Sequence, residues 1–306
     1  MLFYSVAGLC VGSEVPLAGL APLSEPVDAA AMIRLGDVPG HLPGAILVGP
    51  NWMISEAQLL IWIPGLARFM LTDGQDIRIR PVPGRPAEEA LAFLPQMLGL
   101  LLQQRGRTVL RSSAVEVGGW AILFCGDSGA GKSTFATALA ERQHRLLGDD
   151  FCVIDVTTEG ALIVHGDAAR PKLWADAIDA FDQWAETGDA VRCNIQKYHV
   201  GPPTSPADGL PLGGIYRLRD DRRLDRPVIE PLRGMDAVQT IRQSVYGPRF
   251  VDPSRGSAGI LRSAVAIART AQVFSLTRGS GFGWMEDGLR SVEESWDTSR
   301  ARRDNH

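Results

Sequence analysis

One stretch of the chain, residues 121–134, constrains the fold more than any other. It reads Ala-Ile-Leu-Phe-Cys-Gly-Asp-Ser-Gly-Ala-Gly-Lys-Ser-Thr, an apolar strand that runs into a glycine-rich turn. The residues that follow, Phe135–Ala140, are typical of a helix. A strand, a G-x-x-x-x-G-K-[ST] loop and a helix in this order form the pattern of a phosphate-binding P-loop. The pattern therefore predicts an α/β fold with a nucleotide site where the strand ends.

The chemistry of phosphate binding explains the spacing of these residues. Glycines let the backbone curl so that successive N–H groups converge on phosphate oxygens, and the helix directs its positive dipole end at the same anion. Lys132 can reach the β- and γ-phosphates, and the Ser133 hydroxyl can ligate Mg²⁺. We therefore expect ATP and Mg²⁺ as ligands. The residues expected to contact them are Gly126, Asp127, Ser128, Gly129, Ala130, Gly131, Lys132, Ser133 and Thr134.

A pair of carboxylates, Asp149 and Asp150, follows an apolar strand 17 and 18 residues after Lys132. One of them would hold Mg²⁺, and the other would take the proton from an attacking hydroxyl. Adjacent residues of a strand point to opposite sides, so the two need not share a role. A solvated turn at the end of a strand is the alternative. The pair makes an enzyme the leading hypothesis.

The 306 residues are enough for two modest domains. Residues 1–106 carry strand patterns and end in a helix, Ala87–Gln104, with leucines at helical spacing. We expect a β-rich N-terminal lobe there and a P-loop domain over 107–306. Thr108–Val117 reads as one strand, which Gly118-Gly119 turns back into the P-loop strand. This antiparallel hairpin predicts a mixed sheet.

Further helices are expected in the second domain, and the polar tail is expected to fray. The helices lie at Leu173–Trp184, near 234–246, near 257–270 and at Trp284–Ser295, and the tail is Thr298–His306.

Composition restricts the partners and the compartment. A net charge of −4 gives no support for a nucleic-acid surface. No apolar run reaches the ~18 residues that a membrane span needs. The four cysteines show no C-x-x-C spacing, which favours buried thiols in a reducing cytoplasm. The sequence is also compatible with a homo-oligomer.

Two segments resemble the catalytic domain of HPr kinase/phosphorylase. Gly126–Ser133 is similar to that family's G-D-S-G-x-G-K-S loop, and residues 142–150 are similar to its R-G-H-x-L-x-A-D-D segment at the same separation. The likeness covers about 108–160 and is weak beyond Ala161. The layout resembles the shorter HPr-kinase-like proteins, which include kinases of lasso-peptide precursors in ribosomal-peptide biosynthesis.

The resemblance implies roles for single residues. It makes Lys132, Asp149, Asp150 and Arg111 the candidate catalytic residues, with Asp149 as the base and with Ser133 and Asp150 as metal ligands. The family has a histidine 21 residues before the P-loop lysine, where this chain has Arg111. Arginine stays charged and is a poor proton shuttle, so a one-way kinase is expected. Alternatively, Arg111 pairs with a carboxylate such as Glu116.

The family's downstream glutamate signature is not visible near residues 171–174, and its mobile-loop arginine has no certain counterpart. The candidates to neutralise the γ-phosphate are Lys172, Arg192, Lys197 and Arg217.

The leading hypothesis is ATP-dependent phosphoryl transfer to a hydroxyl, serine first, on a peptide or small protein. Two alternatives stay open. The chain could bind ATP as a regulatory module without transferring a phosphoryl group, and the presence of Arg111 in place of the family's histidine favours this alternative. It could also be a small-molecule kinase or an enzyme like phosphoenolpyruvate carboxykinase.

Overall fold

The computed structural model describes residues 1–180, 187–191, 196–201, 209–250, 256–279 and 281–303. The first eight strands form one sheet in the order β1-β2-β3-β8-β7-β6-β5-β4. Their bounds are β1 Leu2–Val6, β2 Leu9–Ser13, β3 Ala31–Leu35, β4 Leu47–Gly49, β5 Trp52–Ile54, β6 Gln58–Ile63, β7 Ala67–Thr72 and β8 Asp76–Pro81.

The second sheet contains the P-loop strand, and its order is β12-β10-β11-β18-β14-β13-β9, with β20 and then β19 added beside β18. β11 runs parallel to β18 and antiparallel to β10, which confirms the predicted mixed sheet and α/β class. The strands are β9 Thr108–Leu110, β10 Ser112–Val117, β11 Trp120–Cys125, β12 Arg145–Gly148, β13 Cys152–Val156, β14 Leu162–Gly166, β18 Leu210–Asp220, β19 Val228–Leu232 and β20 Val273–Arg278.

A third, small sheet has the order β15-β17-β16, with bounds Lys172–Trp174, Lys197–Val200 and Thr187–Ala190 in that order. The helices are α1 Ala87–Leu91, α2 Leu94–Gln104, α3 Lys132–Glu141, α4 Ala175–Ala180, α5 Gly234–Ser244, α6 Gly256–Thr270 and α7 Met285–Arg303. No helix in the described ranges is long and apolar enough to cross a membrane.

The hairpin that leads into the P-loop forms as predicted. Gly118 and Gly119 both have positive φ, 55° and 85°, which is the backbone that a tight turn between two strands requires. The predicted single strand over 108–117 is interrupted at Arg111, so β9 pairs with β13 while β10 pairs with β11 and β12. Arg111 therefore lies where the chain passes from one set of partners to another.

Three other expectations are corrected. The helix predicted over 87–104 is two helices, because Pro95 lacks an N–H and its ring clashes with the preceding turn. The helix predicted to begin at Leu173 begins at Ala175, since Lys172–Trp174 pairs with β17, and 181–186 lie outside the described residues. The tail continues α7 to Arg303 instead of fraying from residue 298.

The N-terminal sheet shares a hydrophobic core with the start of β13. Phe151 and Val153 are buried among residues of β1–β8 and α2. Phe151 directly follows the Asp149-Asp150 pair, and its ring meets that of Tyr246 edge-on at 5.7 Å. The N-terminal sheet thus fixes the backbone that carries both aspartates. The boundary at residue 106 stays a prediction.

Candidate active site

The P-loop has the backbone that its glycines predict. Gly126, Gly129 and Gly131 have φ of 143°, 84° and 90°, and Gly131 is the left-handed N-cap of α3. A Cβ on Gly126 would lie 2.9 Å from the carbonyl oxygen of Leu218, too close for any other residue. The loop therefore curls against β18 and leaves the first N–H groups of α3 available to an anion.

The lysine of the loop is held against the loop's own carbonyl groups. Its Nζ donates to the carbonyl oxygens of Gly126 and Asp127 at 3.0 and 2.8 Å. Burial, with the nearby Arg111 cation second, lowers the pKa of Lys132. Asp127 also accepts a bond from the Ala130 N–H through its carbonyl at 3.2 Å, as a turn residue would.

Asp149 is 4% exposed, and each of its carboxylate oxygens has a partner. The Ser113 hydroxyl donates to Oδ1 at 2.9 Å, and the backbone N–H of Lys172 donates to Oδ2 at 2.9 Å. Burial and then the charge of Asp150 raise the pKa of Asp149, while the charges of Lys197 and Lys172 oppose that rise. A raised pKa makes a carboxylate a stronger base, so this fixed carboxylate is suited to accept a proton.

Asp150 forms a part-buried ion pair with Lys172. Burial alone would raise the pKa of Asp150, but the Lys172 ammonium, which donates to Oδ2, holds it below its ordinary value. Burial would likewise lower the pKa of Lys172, but Asp150, Asp167 and Asp149 together raise it. The pKa values of the two neighbouring aspartates therefore shift in opposite directions, which is what separate acid–base roles require.

Asp167 is a residue that the sequence did not single out. Its carboxylate is buried and accepts four backbone N–H bonds at 2.9–3.3 Å. The donors are Asp149, Asp150, Phe151 and Ala169. Burial and then the charge of Asp150 raise the pKa of Asp167 to about 7. Asp167 thus clamps the turn that presents both catalytic candidates, and only the pairing of β13 with β14 brings it there.

The P-loop and the Asp149-Asp150 pair line one cleft of about 300 Å³. Six of the predicted nucleotide contacts face it, together with the two aspartates and Arg111. Its lining residues are Arg111, Ser128, Gly129, Gly131, Lys132, Ser133, Thr134, Asp149, Asp150, Lys172, Trp174, Asp176, Ala177, Lys197, Arg278, Gly281, Phe282, Trp284 and Met285. The structure therefore brings the predicted catalytic residues together.

Arg111 lines the cleft, and a backbone hydrogen bond holds it in place. Its N–H donates to the carbonyl of Ser244 at 2.7 Å. The alternative pairing with Glu116 is wrong, because Glu116 pairs with Arg145 instead. Among the described residues, the Arg111 side chain has no carboxylate partner. Its charge is thus available to a phosphate.

The other candidate cations differ in position. Lys172 and Lys197 line the cleft, whereas Arg217 on β18 is not among its lining residues, and Arg192 lies outside the described residues. Arg278, which the sequence did not single out, also lines the cleft. The cleft thus contains more positive charge than the P-loop motif alone supplies.

The oxygen donors fit Mg²⁺ bound with a nucleotide. Within the described ranges no group of three or more His, Cys, Asp or Glu side chains is arranged to hold a metal alone. Mg²⁺ commonly uses one or two carboxylates plus substrate phosphates and water. Ser133, Asp149 and Asp150, all lining the cleft, supply such a donor set.

No family model matches the chain. An HPr kinase/phosphorylase of Treponema pallidum is 47% identical to it over 57 residues, 19% of this chain and 18% of that protein. One of Prosthecochloris aestuarii is 46% identical over 55 residues, 18% of this chain and 16% of that protein. The solved HPr(Ser) kinase/phosphatase of Coxiella burnetii aligns over 61% of this chain and 95% of its own, with 11% identity and a TM-score of 0.30, too weak a likeness to assign a fold.

The matched segments span less than a fifth of the curated relatives. The chain is therefore similar to HPr kinase/phosphorylases over this part, and the resemblance that its two motifs indicate is confirmed.

Proposed function

We propose that this protein is an ATP-dependent kinase that transfers the γ-phosphoryl group to a serine hydroxyl of a peptide or small protein. The observation that supports this best is the shared cleft of the P-loop and the Asp149-Asp150 pair. A P-loop alone would bind a nucleotide, but the buried carboxylate with a raised pKa beside it adds a group for moving a proton.

The reaction would be an in-line displacement. The acceptor oxygen attacks the γ-phosphorus, the bond from that phosphorus to the β–γ bridging oxygen breaks, and ADP leaves. Asp149 takes the hydroxyl proton. Its bonds from Ser113 and from the Lys172 backbone hold the carboxylate in place for this task.

Several cations would balance the charge that spreads over the γ-phosphate oxygens in the transition state. Lys132 would leave its loop carbonyls for the β/γ oxygens, and Arg111, which also lines the cleft, would donate two N–H groups. Mg²⁺, held by Ser133 and Asp150, supplies further charge neutralisation of the phosphates when bound.

We also propose the cytoplasm as the compartment. The described cysteines, Cys10, Cys125 and Cys152, are all free thiols. Burial raises the pKa of Cys125 to about 11, which keeps that thiol protonated and inert. Cys193 lies outside the described residues.

The test is incubation of the purified protein with γ-labelled ATP, Mg²⁺ and a panel of peptides encoded near its gene. Label on a peptide serine supports the proposal. Label on a small molecule alone would favour a metabolite kinase, and tight ATP binding with no labelled product would favour a regulatory module.

A further inference from the structure

The cleft has two walls of different chemistry. β11, β18 and β20 are parallel, so their carboxyl ends lie at the same edge of the sheet. Asp149 and Asp150 follow β12, which lies beyond β10 on one side of β11. Residues 281–284 come after β20 in the chain, on the other side of β11. Ligands of α/β sheets bind outside the carboxyl ends of the strands. We use the name acidic wall for Asp149, Asp150, Lys172 and Trp174, which line this crevice on the β12 side, while an aromatic wall lines it on the β20 side.

We use the name aromatic wall for Arg278, Phe282, Trp284 and Met285, all of which line the cleft. Trp284 is buried and stacks on Phe135 of the P-loop helix, with centroids 5.6 Å apart and planes 10° apart. Its indole N–H donates to the Gly281 carbonyl at 2.7 Å. Trp284 thus fixes the wall against α3, while Phe282 keeps 38% of its surface exposed at the cleft.

Arg278 connects this wall to the phosphate site. It donates to the P-loop carbonyl of Ala130 at 3.0 Å, pairs with Asp220 at 2.9 Å, and places its guanidinium 4.9 Å from the Trp284 ring centroid. Its Nε is buried and has no acceptor among the described residues. A buried N–H without an acceptor carries an energetic cost unless a ligand supplies one.

We propose that the aromatic wall is the nucleobase subsite of the cleft, with the base stacked on Phe282 and with Arg278 Nε–H donating to the nucleotide. The inference rests on the proposed function only in placing the γ-phosphate at the aspartates. A triphosphate with its γ end there must direct its nucleoside to the opposite wall. Trp174 also lines the cleft, but it follows Lys172, whose backbone N–H and ammonium contact Asp149 and Asp150, so it lies on the side of the γ-phosphate.

The test compares the binding of ATP with that of inorganic triphosphate, which lacks the base, by titration calorimetry. Phe282→Leu should weaken ATP roughly 5- to 100-fold, the size of a base–aromatic stack, and leave triphosphate unchanged. Phe282→Tyr keeps the ring and should retain ATP affinity. Trp174→Leu removes a second exposed aromatic ring among the described lining residues and should not weaken ATP relative to triphosphate. The matched control is Phe3→Leu on β1, outside the lining of the cleft, which should alter neither ligand.

Three results would overturn the subsite. Wild-type protein could bind ATP no tighter than triphosphate, Phe282→Leu could weaken both ligands equally or neither, or Trp174→Leu could be the variant that selectively loses ATP. If Phe282→Leu misfolds, the wild-type comparison and the Phe282→Tyr and Trp174→Leu variants still test whether the base binds at the aromatic wall. Because the readout is binding, a protein that binds ATP through Phe282 but labels no acceptor would contradict the proposed function alone.

Discussion

Replacing Lys172 by methionine tests the electrostatics of the acidic wall. The Lys172 side chain is 7% exposed, and its ammonium pairs with Asp150, whose side chain is 28% exposed. The buried carboxylates of Asp149 and Asp167 lie nearby. Methionine keeps the apolar stem and removes only the charge. Asp150 is then left without its cation in a site where burial alone disfavours the carboxylate.

Breaking a buried ion pair by removing one partner costs about 3–5 kcal/mol. The partial exposure of Asp150 places this case near the lower end, so we expect Lys172→Met to lower the free energy of unfolding by about 3 kcal/mol near neutral pH. The matched control is Arg34→Met, which breaks the half-exposed pair with Asp76 at 2.9 Å and should cost about 1 kcal/mol or less.

The loss should also depend on pH with a definite sign. In the wild type the pKa of Asp150 is lowered in the folded state, so its pairing stabilises the protein above the unfolded pKa and is lost as pH falls through the folded value. Without Lys172, burial reverses this shift, and protonation of Asp150 favours the folded state. The deficit of Lys172→Met should therefore shrink as pH falls from about 8 to about 5.

Urea denaturation followed by circular dichroism measures both effects. Adding Asp150→Asn to Lys172→Met should restore more than half of the lost stability, because it removes the unpaired charge. Two results would contradict a role for the unpaired Asp150 charge. Lys172→Met could lower the free energy of unfolding no more than Arg34→Met does, or its loss of stability could grow as the pH is lowered.

Three further predictions concern catalysis. Lys132→Ala should weaken ATP binding and remove roughly 3–5 kcal/mol of transition-state stabilisation, and unchanged turnover of the folded variant would contradict the P-loop assignment. The rate of phosphoryl transfer should rise as the pH increases through the raised pKa of Asp149, since only the carboxylate anion accepts a proton. A transfer rate that falls over this pH range would exclude Asp149 as the base. Phosphorylated product supplied with inorganic phosphate should release negligible pyrophosphate, and Arg111→His should gain this release; wild-type release as fast as the forward reaction would show that Arg111 does not set the direction.

The parts of the fold that the sequence predicts are those determined by neighbouring residues. The P-loop and the hairpin at Gly118-Gly119 depend on glycines at fixed positions, and an antiparallel hairpin makes the sheet mixed. The break at Pro95 also has a local cause, the missing N–H, although the leucine spacing across it is typical of one helix.

The remaining parts of the site depend on distant pairing. Asp167 is 17 residues from Asp150 and reaches it only across the β13–β14 hairpin, so nothing in its own neighbourhood signals a clamp. Leu173 has the apolar spacing of a helix, but it pairs with Tyr198 in a strand. Arg278 reaches the Ala130 carbonyl across 148 residues of sequence. Only tertiary contacts could have identified these three positions.

The most direct test of phosphoryl transfer in this cleft is the Asp149→Asn variant, assayed for ATP affinity and for label transfer in the same preparation. We expect nearly unchanged ATP binding and a kcat lower by ~100-fold or more, because the proton acceptor is gone while the phosphate site remains. Asp150→Asn, measured alongside, should instead raise the Mg²⁺ requirement. Undiminished transfer by Asp149→Asn would contradict the assignment of this residue as the catalytic base.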